Sequence, residues 1–343
     1  MSGGASALAG ALLLFTLSAA AVTAAGTRLA REGDVIAART RLGGVWVGTV
    51  FLAIATSLPE LMTGVSAIVI GAVDIAAGSL FGSNMANMLI LALLTLLPAG
   101  SELFGRAHSD HALAASLAVL LTCMAGAFTL SGLPYAALGV GADSLLLLAA
   151  YLLGTRVLFR QSAIARQAAA IEELTPPSAE EPMPPERGLR VAAAWFVGAA
   201  LVVAVAAPVF ATSAARVAEL TGLSETIVGT WMVGLATSLP EFVTSLAALR
   251  LGAFDLAVGN LYGSNAVNMI IFVPLDAANR SGPIFSTVAP EHAISAFVAA
   301  ALMGLSLAAL VYRSRRRASM LEPSGLAMIA LYLGGLLLVI LRS

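Results

Sequence analysis

The sequence predicts an all-α membrane protein, ten transmembrane helices arranged as two inverted five-helix repeats. Three observations predict it. Hydrophobic residues fill 59% of the 343 positions and charged residues only 11%, where a soluble domain carries about 25% charged residues. The mean hydropathy is +0.94, and the apolar residues fall in runs of roughly 20, the length a helix needs to cross a bilayer core. A segment of the first half recurs in the second half without a gap. The runs lack strand-like alternation and are rich in Ala, Leu and Gly, which favours helices over a barrel.

In order, the runs cover about residues 5–26, 43–69, 73–98, 110–130, 134–158, 190–212, 223–249, 254–278, 290–312 and 323–341. The first has no basic residue ahead of it, and Arg28 follows it, which predicts a retained helix rather than a cleaved signal. One long polar segment, 160–189, carries Glu172, Glu173, Glu180 and Glu181 with Pro176, Pro177, Pro182, Pro184 and Pro185. It reads as a short helix followed by a linker. The chain thus divides into a first repeat at 1–159, a cytoplasmic linker at 160–189 and a second repeat at 190–343, with duplicated cores near 43–98 and 223–278.

Charge placement sets the orientation. Every Lys/Arg position is Arg. With both termini outside, the cytoplasmic side holds Arg28, Arg31, Arg39, Arg41, Arg106, Arg156, Arg160, Arg166, Arg187, Arg190, Arg250, Arg313, Arg315, Arg316 and Arg317. Only Arg216, Arg280 and Arg342 stay outside, and fifteen against three is a decisive positive-inside bias. Five spans per half is an odd number, so the second copy enters upside down, an architecture common among secondary transporters. This places the chain in a cell (inner) membrane, and the Arg- and Ala-rich composition suggests a prokaryote. The Arg313–Arg317 cluster reads as a lipid-headgroup anchor. A single Cys123 excludes an internal disulfide and reads as packing.

The duplicated segments begin at Gly48 and Gly229. Glu60 and Glu241 lie 181 residues apart, as do Asn87 and Asn268, and His111 and His292. Each copy holds the hexapeptide ATSLPE, at Ala55–Glu60 and Ala236–Glu241. A charge at the bilayer centre costs at least ~2.5–3.5 kcal/mol, so it should face a cavity or a counter-charge. No Lys, Arg or His lies mid-membrane beside either glutamate, so the missing partner reads as a mobile cation or a proton. Pro59 and Pro240 free the carbonyls of Ala55 and Ala236. Carbonyls, Thr and Ser hydroxyls and a carboxylate make a hard oxygen set suited to Na⁺ and Ca²⁺. The next span supplies GSLFGSNMAN at Gly78–Asn87 and GNLYGSNAVN at Gly259–Asn268. Ser83 and Asn87 share one helix face, as do Ser264 and Asn268. Purely structural readings stay open, kinks alone for Pro59 and Pro240, and interhelical hydrogen bonds without ion contact for Ser83, Asn87, Ser264 and Asn268 and above all for Asn84 and Asn265.

Paired TSLPE and GSNxxN motifs in inverted copies closely resemble the alpha repeats of the cation/calcium exchanger superfamily, in particular the sodium/calcium exchangers. The resemblance implies that Glu60 and Glu241 bind one Ca²⁺ with help from the Thr56 and Thr237 carbonyls. It implies a flanking sodium site at Ser83 and the Ala53 carbonyl, with its mirror at Ser264 and the Gly234 carbonyl. Ser57 and Ser238 would line the access passages, and Asn87 and Asn268 would complete the central plane. Asn268 stands where the potassium-dependent branch has Asp, so no potassium requirement is expected. The expected activity is Na⁺ for Ca²⁺ antiport by alternating access, the first and sixth spans sliding over a rigid core, with divalent/proton antiport as the alternative.

Other features read more plainly. Asp143 has Ser324 as its repeat counterpart and reads as an outer-interface or structural residue. His108, Asp110, His111, Glu291 and His292 read as interfacial caps, and Asp74 and Asp255 as helix N-caps. Gly-rich stretches lack a following Lys-Ser or Lys-Thr, which argues against ATP-driven pumping. No nucleophile–base pair suggests an enzyme, and no cofactor is expected beyond the transported ions. The expected partners are inorganic cations and the lipid bilayer, with no nucleic acid and no second subunit needed.

Overall fold

The computed structural model describes residues 2–40, 42–100, 103–107, 110–132, 134–137, 139–172, 188–221, 237–312 and 323–342. The chain is almost entirely helical. The first repeat contains α1 (Ser2–Thr40), α2 (Gly44–Trp46), a π-helical segment (Val47–Leu52), α3 (Ala53–Thr56), α4 (Leu58–Val69), α5 (Val73–Leu96), α6 (Leu103–Arg106), α7 (His111–Ser131) and α8 (Ala142–Glu172). The second contains α9 (Leu189–Thr221), α10 (Leu239–Arg250), α11 (Phe254–Ala278), α12 (Ile284–Thr287), α13 (His292–Tyr312) and α14 (Pro323–Arg342). Among the described residues nine stretches are long and apolar enough to cross a membrane, the run Gly44–Val69 being one of them. Of the seventh predicted span, 223–249, only the part from Thr237 is described. Gly234, Ala236, Arg41, His108, Arg187, the polyproline linker and the Arg313–Arg317 cluster also lie outside the described residues.

The two halves repeat their local geometry as well as their letters. Both motif helices break at the residue before Leu-Pro, with Ser57 at φ −87°, ψ 5° and Ser238 at φ −83°, ψ 5°. Proline fits the first turn of the helix that restarts there, because its missing N–H has no partner to lose. Both then turn through a glycine in the left-handed region, Gly71 at φ 80° and Gly252 at φ 76°. The Ala72 N–H donates to the Ala67 carbonyl at 2.8 Å, and the Ala253 N–H to the Ala248 carbonyl at 2.9 Å, closing identical helix ends.

Contacts between α5 and α11 reveal the inversion directly. Phe81 meets Phe272, Asn84 meets Asn268, and Asn87 meets Asn265. Moving forward along α5 moves backward along α11, so the duplicated helices run antiparallel. Their crossing is the centre of the molecule. In its most apolar stretch α11 is 89% buried and α5 72%, against 17% for α1. Around this centre α7 packs on α13, and α14 on α13 and α5. The long helices α1 and α9 pack on each other and cross over, α1 covering α10 and α9 covering α4. Each therefore lies over the motif helix of the opposite half.

Three sequence expectations are corrected. The first helix does not stop near residue 26 but runs to Thr40. Its charged second half stays helical because Arg28 pairs with buried Glu32 at 2.8 Å, four residues on, and stacks on the Trp195 ring of α9 at 4.4 Å. The sixth likewise extends to Thr221. The fifth does not begin at 134, since a two-residue hairpin, β1 (Ala136–Ala137) with β2 (Val140–Gly141), precedes α8. Pro134 and Gly139, at φ 79°, favour that turn over a helix.

Asp74 and Asp255 are not caps of their own helices either. No side-chain cap is made at α5 or α11. Asp74 instead accepts the Ala289 N–H at 2.8 Å and meets His292 Nε2 at 3.4 Å. Asp255 meets His111 Nε2 at 3.0 Å, and the His111 side chain is fully buried. Each pair takes its carboxylate from one half and its imidazole from the other.

Candidate cation-binding site

The breaks at Ser57 and Ser238 present the first turns of α4 and α10 to the α5–α11 crossing. Glu60 and Glu241 sit in these turns, each 1% exposed. Glu60 Oε1 accepts the Ser83 hydroxyl at 3.3 Å, and Oε2 has no partner. Both oxygens of Glu241 are without a partner. Glu60 reaches Ser83 of α5, and the Glu241 backbone carbonyl lies 3.5 Å from Asn260 Nδ2 of α11, so both glutamates border the α5–α11 crossing. The hydroxyls of Thr56 and Ser264 face Glu241, but neither closes a hydrogen bond on it.

Those hydroxyls are held by each other instead. Thr56 Oγ1 lies 3.2 Å from Ser264 Oγ, 3.1 Å from Asn260 Oδ1 and 3.1 Å from the Leu52 carbonyl. Ser57 and Ser238 are each 1% exposed, and both hydroxyls are unpartnered. Thr237 is buried beside Ser238. Ala53 is buried, and its carbonyl accepts the Ser57 N–H at 3.0 Å with Thr56 Oγ1 at 3.4 Å. Its expected mirror, Gly234, lies outside the described residues.

Four asparagines tie the crossing together. Asn87 Nδ2 donates to Asn265 Oδ1 at 2.9 Å, and Asn268 Nδ2 donates to Asn84 Oδ1 at 3.0 Å. Asn84 Nδ2 also reaches the Asn265 carbonyl and Thr122 Oγ1, both at 3.2 Å. Asn84 and Asn265 are therefore the frame. Asn87 and Asn268 each spend their amide N–H on that frame and keep Oδ1 unpartnered.

Sequence reasoning missed Asn260. Its Nδ2 donates to Ser245 Oγ at 3.0 Å and its Oδ1 takes the Thr56 hydroxyl, linking the two halves beside Glu241. The motif comparison hid it because Ser79 occupies the matching place in the first copy. Ser79 only bonds back to its own helix at Ala76. An amide in mid-span is the signal that could have found it.

A buried polar atom without a partner costs about 1–3 kcal/mol, and more when charged. Here Glu60 Oε2, Glu241 Oε1 and Oε2, Ser57 Oγ, Ser238 Oγ, Asn87 Oδ1 and Asn268 Oδ1 all lack one, and they belong to the residues singled out by the motifs. Among these motif residues the one unpartnered nitrogen is Asn265 Nδ2, a donor that cannot ligate a cation; the rest of the set is oxygen. Among the described residues no group of three or more His, Cys, Asp or Glu converges, which does not suit zinc or copper.

Comparison with known proteins follows the same line. Residues 10–159 and 191–341 match the family described as sodium/calcium exchanger protein. Inner membrane protein YrbG of Escherichia coli is 30% identical over 239 residues, 69% of this chain and 70% of that protein. A putative antiporter, CaxA, of Alkalimonas amylolytica is 28% identical over 287 residues, 80% of this chain and 83% of that one. The fold is that of the sodium-calcium exchanger NCX_Mj, solved after soaking in Na⁺ and Sr²⁺, with a TM-score of 0.72 at 20% identity over 96% of this chain and 98% of that one. With a duplicated acidic motif, a membrane helix bundle and a family match spanning both halves, the chain belongs to the sodium/calcium exchanger family.

Proposed function

We propose that this protein is a secondary antiporter that exchanges Na⁺ for Ca²⁺ across the cell membrane by alternating access, without potassium. The observation that carries the reading is the cluster of buried, unpartnered oxygens around Glu60 and Glu241. Two carboxylates balance one Ca²⁺. Removing the ion without replacement leaves like charges facing each other in low dielectric, at several kcal/mol per ion. The empty, ionised site resists switching sides, and Na⁺ restores neutrality by taking the same oxygens. Exchange becomes obligatory because only filled sites cross.

The roles proposed for the residues are those the family resemblance implies. Glu60 and Glu241 share Ca²⁺ with the backbone oxygens of Thr56 and Thr237. Ser83 with the Ala53 carbonyl, and Ser264 with Gly234, flank them for Na⁺. Ser57 and Ser238, at the helix breaks, line the approaches, and Asn87 and Asn268 turn their free Oδ1 atoms to the central plane. The neutral Asn268 supports the absence of a potassium site. The long helices α1 and α9, packed across opposite halves, are the moving gate. The bias of arginines supports both termini outside. The experiment loads vesicles with Na⁺, dilutes them into Na⁺-free medium and follows Ca²⁺ uptake at clamped pH. Uptake that collapses with the sodium gradient is expected. Uptake indifferent to sodium that tracks a proton gradient would overturn the coupling and favour divalent/proton exchange.

A further inference from the structure

A second acidic pair lies at the far end of α11. Asp276 stands two turns beyond Asn268, about 12 Å along the helix, and is 1% exposed. Its Oδ2 accepts the Gly141 N–H at 2.8 Å and the Ser144 hydroxyl at 2.6 Å, and its Oδ1 accepts the Ile284 N–H at 2.9 Å. Three donors make it a well-held carboxylate. Asp143, at the start of α8, is fully buried beside it. Asp143 Oδ1 accepts the Ser144 N–H at 3.0 Å, and Oδ2 has no partner. The two carboxylates converge, since a methyl group on Gly141 would touch both Asp143 Oδ1 and Asp276 Oδ2. The charged group that bears on Asp143 is Asp276, and no Arg or His among the described residues is paired with either.

The duplication shows that the fold does not require this pair. Shifted by 181 residues, Asp143 becomes Ser324 and Asp276 becomes Thr95. Those two positions also adjoin, because a methyl on Gly325, next to Ser324, would run into Thr95 Oγ1. Both ends leave one oxygen without a partner, Ser324 Oγ at one and Asp143 Oδ2 at the other, but one end closes the junction with neutral hydroxyls and the other carries two acids. A proton shared between Asp143 and Asp276 is the competing way to relieve the pair, and it predicts no bound ion. A cation would satisfy that oxygen and offset both charges. The donors are two carboxylates and the Ser144 hydroxyl, all hard oxygens, which fits a divalent cation of the calcium class.

We propose that Asp143, Asp276 and Ser144 form a second divalent-cation site, separate from the central carboxylates. Its assignment to the outer face rests on the positive-inside orientation; the site itself does not. With few protein ligands its affinity belongs with the weaker extracellular calcium sites, on the order of 10⁻⁴–10⁻³ M.

The test removes the central site first. Full-length protein with Glu60→Gln and Glu241→Gln is purified in detergent, and radioactive Ca²⁺ binding is measured by equilibrium dialysis at millimolar concentration and constant ionic strength. About one Ca²⁺ per chain is expected to remain, weakened at least tenfold by adding Asp143→Asn and retained with Asp143→Glu. Should the Asn variant fail to elute as a single species, Asp143→Ser, which copies Ser324, carries the same expectation. Absence of binding in the background protein overturns the proposal, and so does binding that Asp143 substitution leaves unchanged. Both arms lack the central carboxylates, so failure here leaves the exchange reading untouched, and failed exchange leaves this measurement standing.

Discussion

Glu60 and Glu241 are twins in sequence but not in bonding. Glu60 takes the Ser83 hydroxyl, whereas the corresponding Ser264 turns to Thr56 and leaves Glu241 bare. Asn260 explains the difference, for it orients the Thr56 hydroxyl and has no equivalent at Ser79. Two predictions belong here. Glu241→Gln removes one of two neighbouring buried carboxylates, so in ion-free buffer at a pH where both are ionised it should raise the unfolding midpoint. It should also abolish both Ca²⁺ uptake and the stabilisation that Ca²⁺ gives, read as unfolding midpoints with and without the ion. A midpoint that falls instead would mean that Glu241 carries a proton in the native protein. Asn260→Ser, copying the first repeat, leaves Thr56 and Ser245 without their shared partner. Losing one buried hydrogen bond, about 1.4 kcal/mol, should weaken apparent Ca²⁺ affinity roughly tenfold in the uptake assay. Unchanged affinity would reduce Asn260 to packing. The glutamates were legible in the sequence because they are duplicated and costly in a membrane. Asn260 was not, because comparison of the two copies rewards identity and this residue works by departing from it.

At the scale of elements, the site depends on how closely the π segment Val47–Leu52 can lie on α11. Gly48, Gly259 and Gly263 make that approach possible. A methyl on Gly48 would sit 3.0 Å from the Leu256 carbonyl, and one on Gly263 would run into the Thr49 backbone. Backbone cannot rotate away as a side chain can. Gly263→Ala should therefore cost at least the ~1–3 kcal/mol typical of overpacking, seen as a lower unfolding midpoint and reduced uptake. Gly198→Ala, where nothing lies within 4 Å, should be silent. Equal behaviour of the two would show that the crossing yields more than its geometry suggests. Element boundaries were less legible than the motifs, and the physics is specific. Arg28 and Glu32 lower the local hydropathy and so ended the first span on paper at 26. In the protein the pair satisfies itself, Trp195 covers the guanidinium, and the helix continues. The α8 start was misplaced for the opposite reason, since Tyr135–Val140 is apolar enough to extend a span but Pro134 and Gly139 turn it into a hairpin.

Over the whole molecule, inversion sets the same His–Asp contact at both ends of the crossing. Asp74 opens α5 and Asp255 opens α11, and because these helices run antiparallel the two residues stand at opposite ends of the crossing, on the order of 30 Å apart by helix rise. His292 and His111, themselves 181 residues apart in the chain, each reach the aspartate of the other half. A His–Asp contact thus joins the halves at each end, and the sequence showed it only as a repeated offset among residues read as caps. Sites so far apart with no shared partner act independently, and their effects should add within about 0.3–0.5 kcal/mol. His111→Gln and His292→Gln should each lower stability by about 0.5–1.5 kcal/mol, the net worth of a hydrogen bond. The buried His111 should lie at the upper end, since its partner then keeps a charge without an imidazole. The double variant should show their sum, measured by denaturant unfolding in one detergent. A double variant much less stable than that sum would mean that losing one tie lets the halves shift far enough to strain the other. The core would then not be the rigid body over which α1 and α9 slide, and the alternating-access scheme would need a moving interface between the repeats.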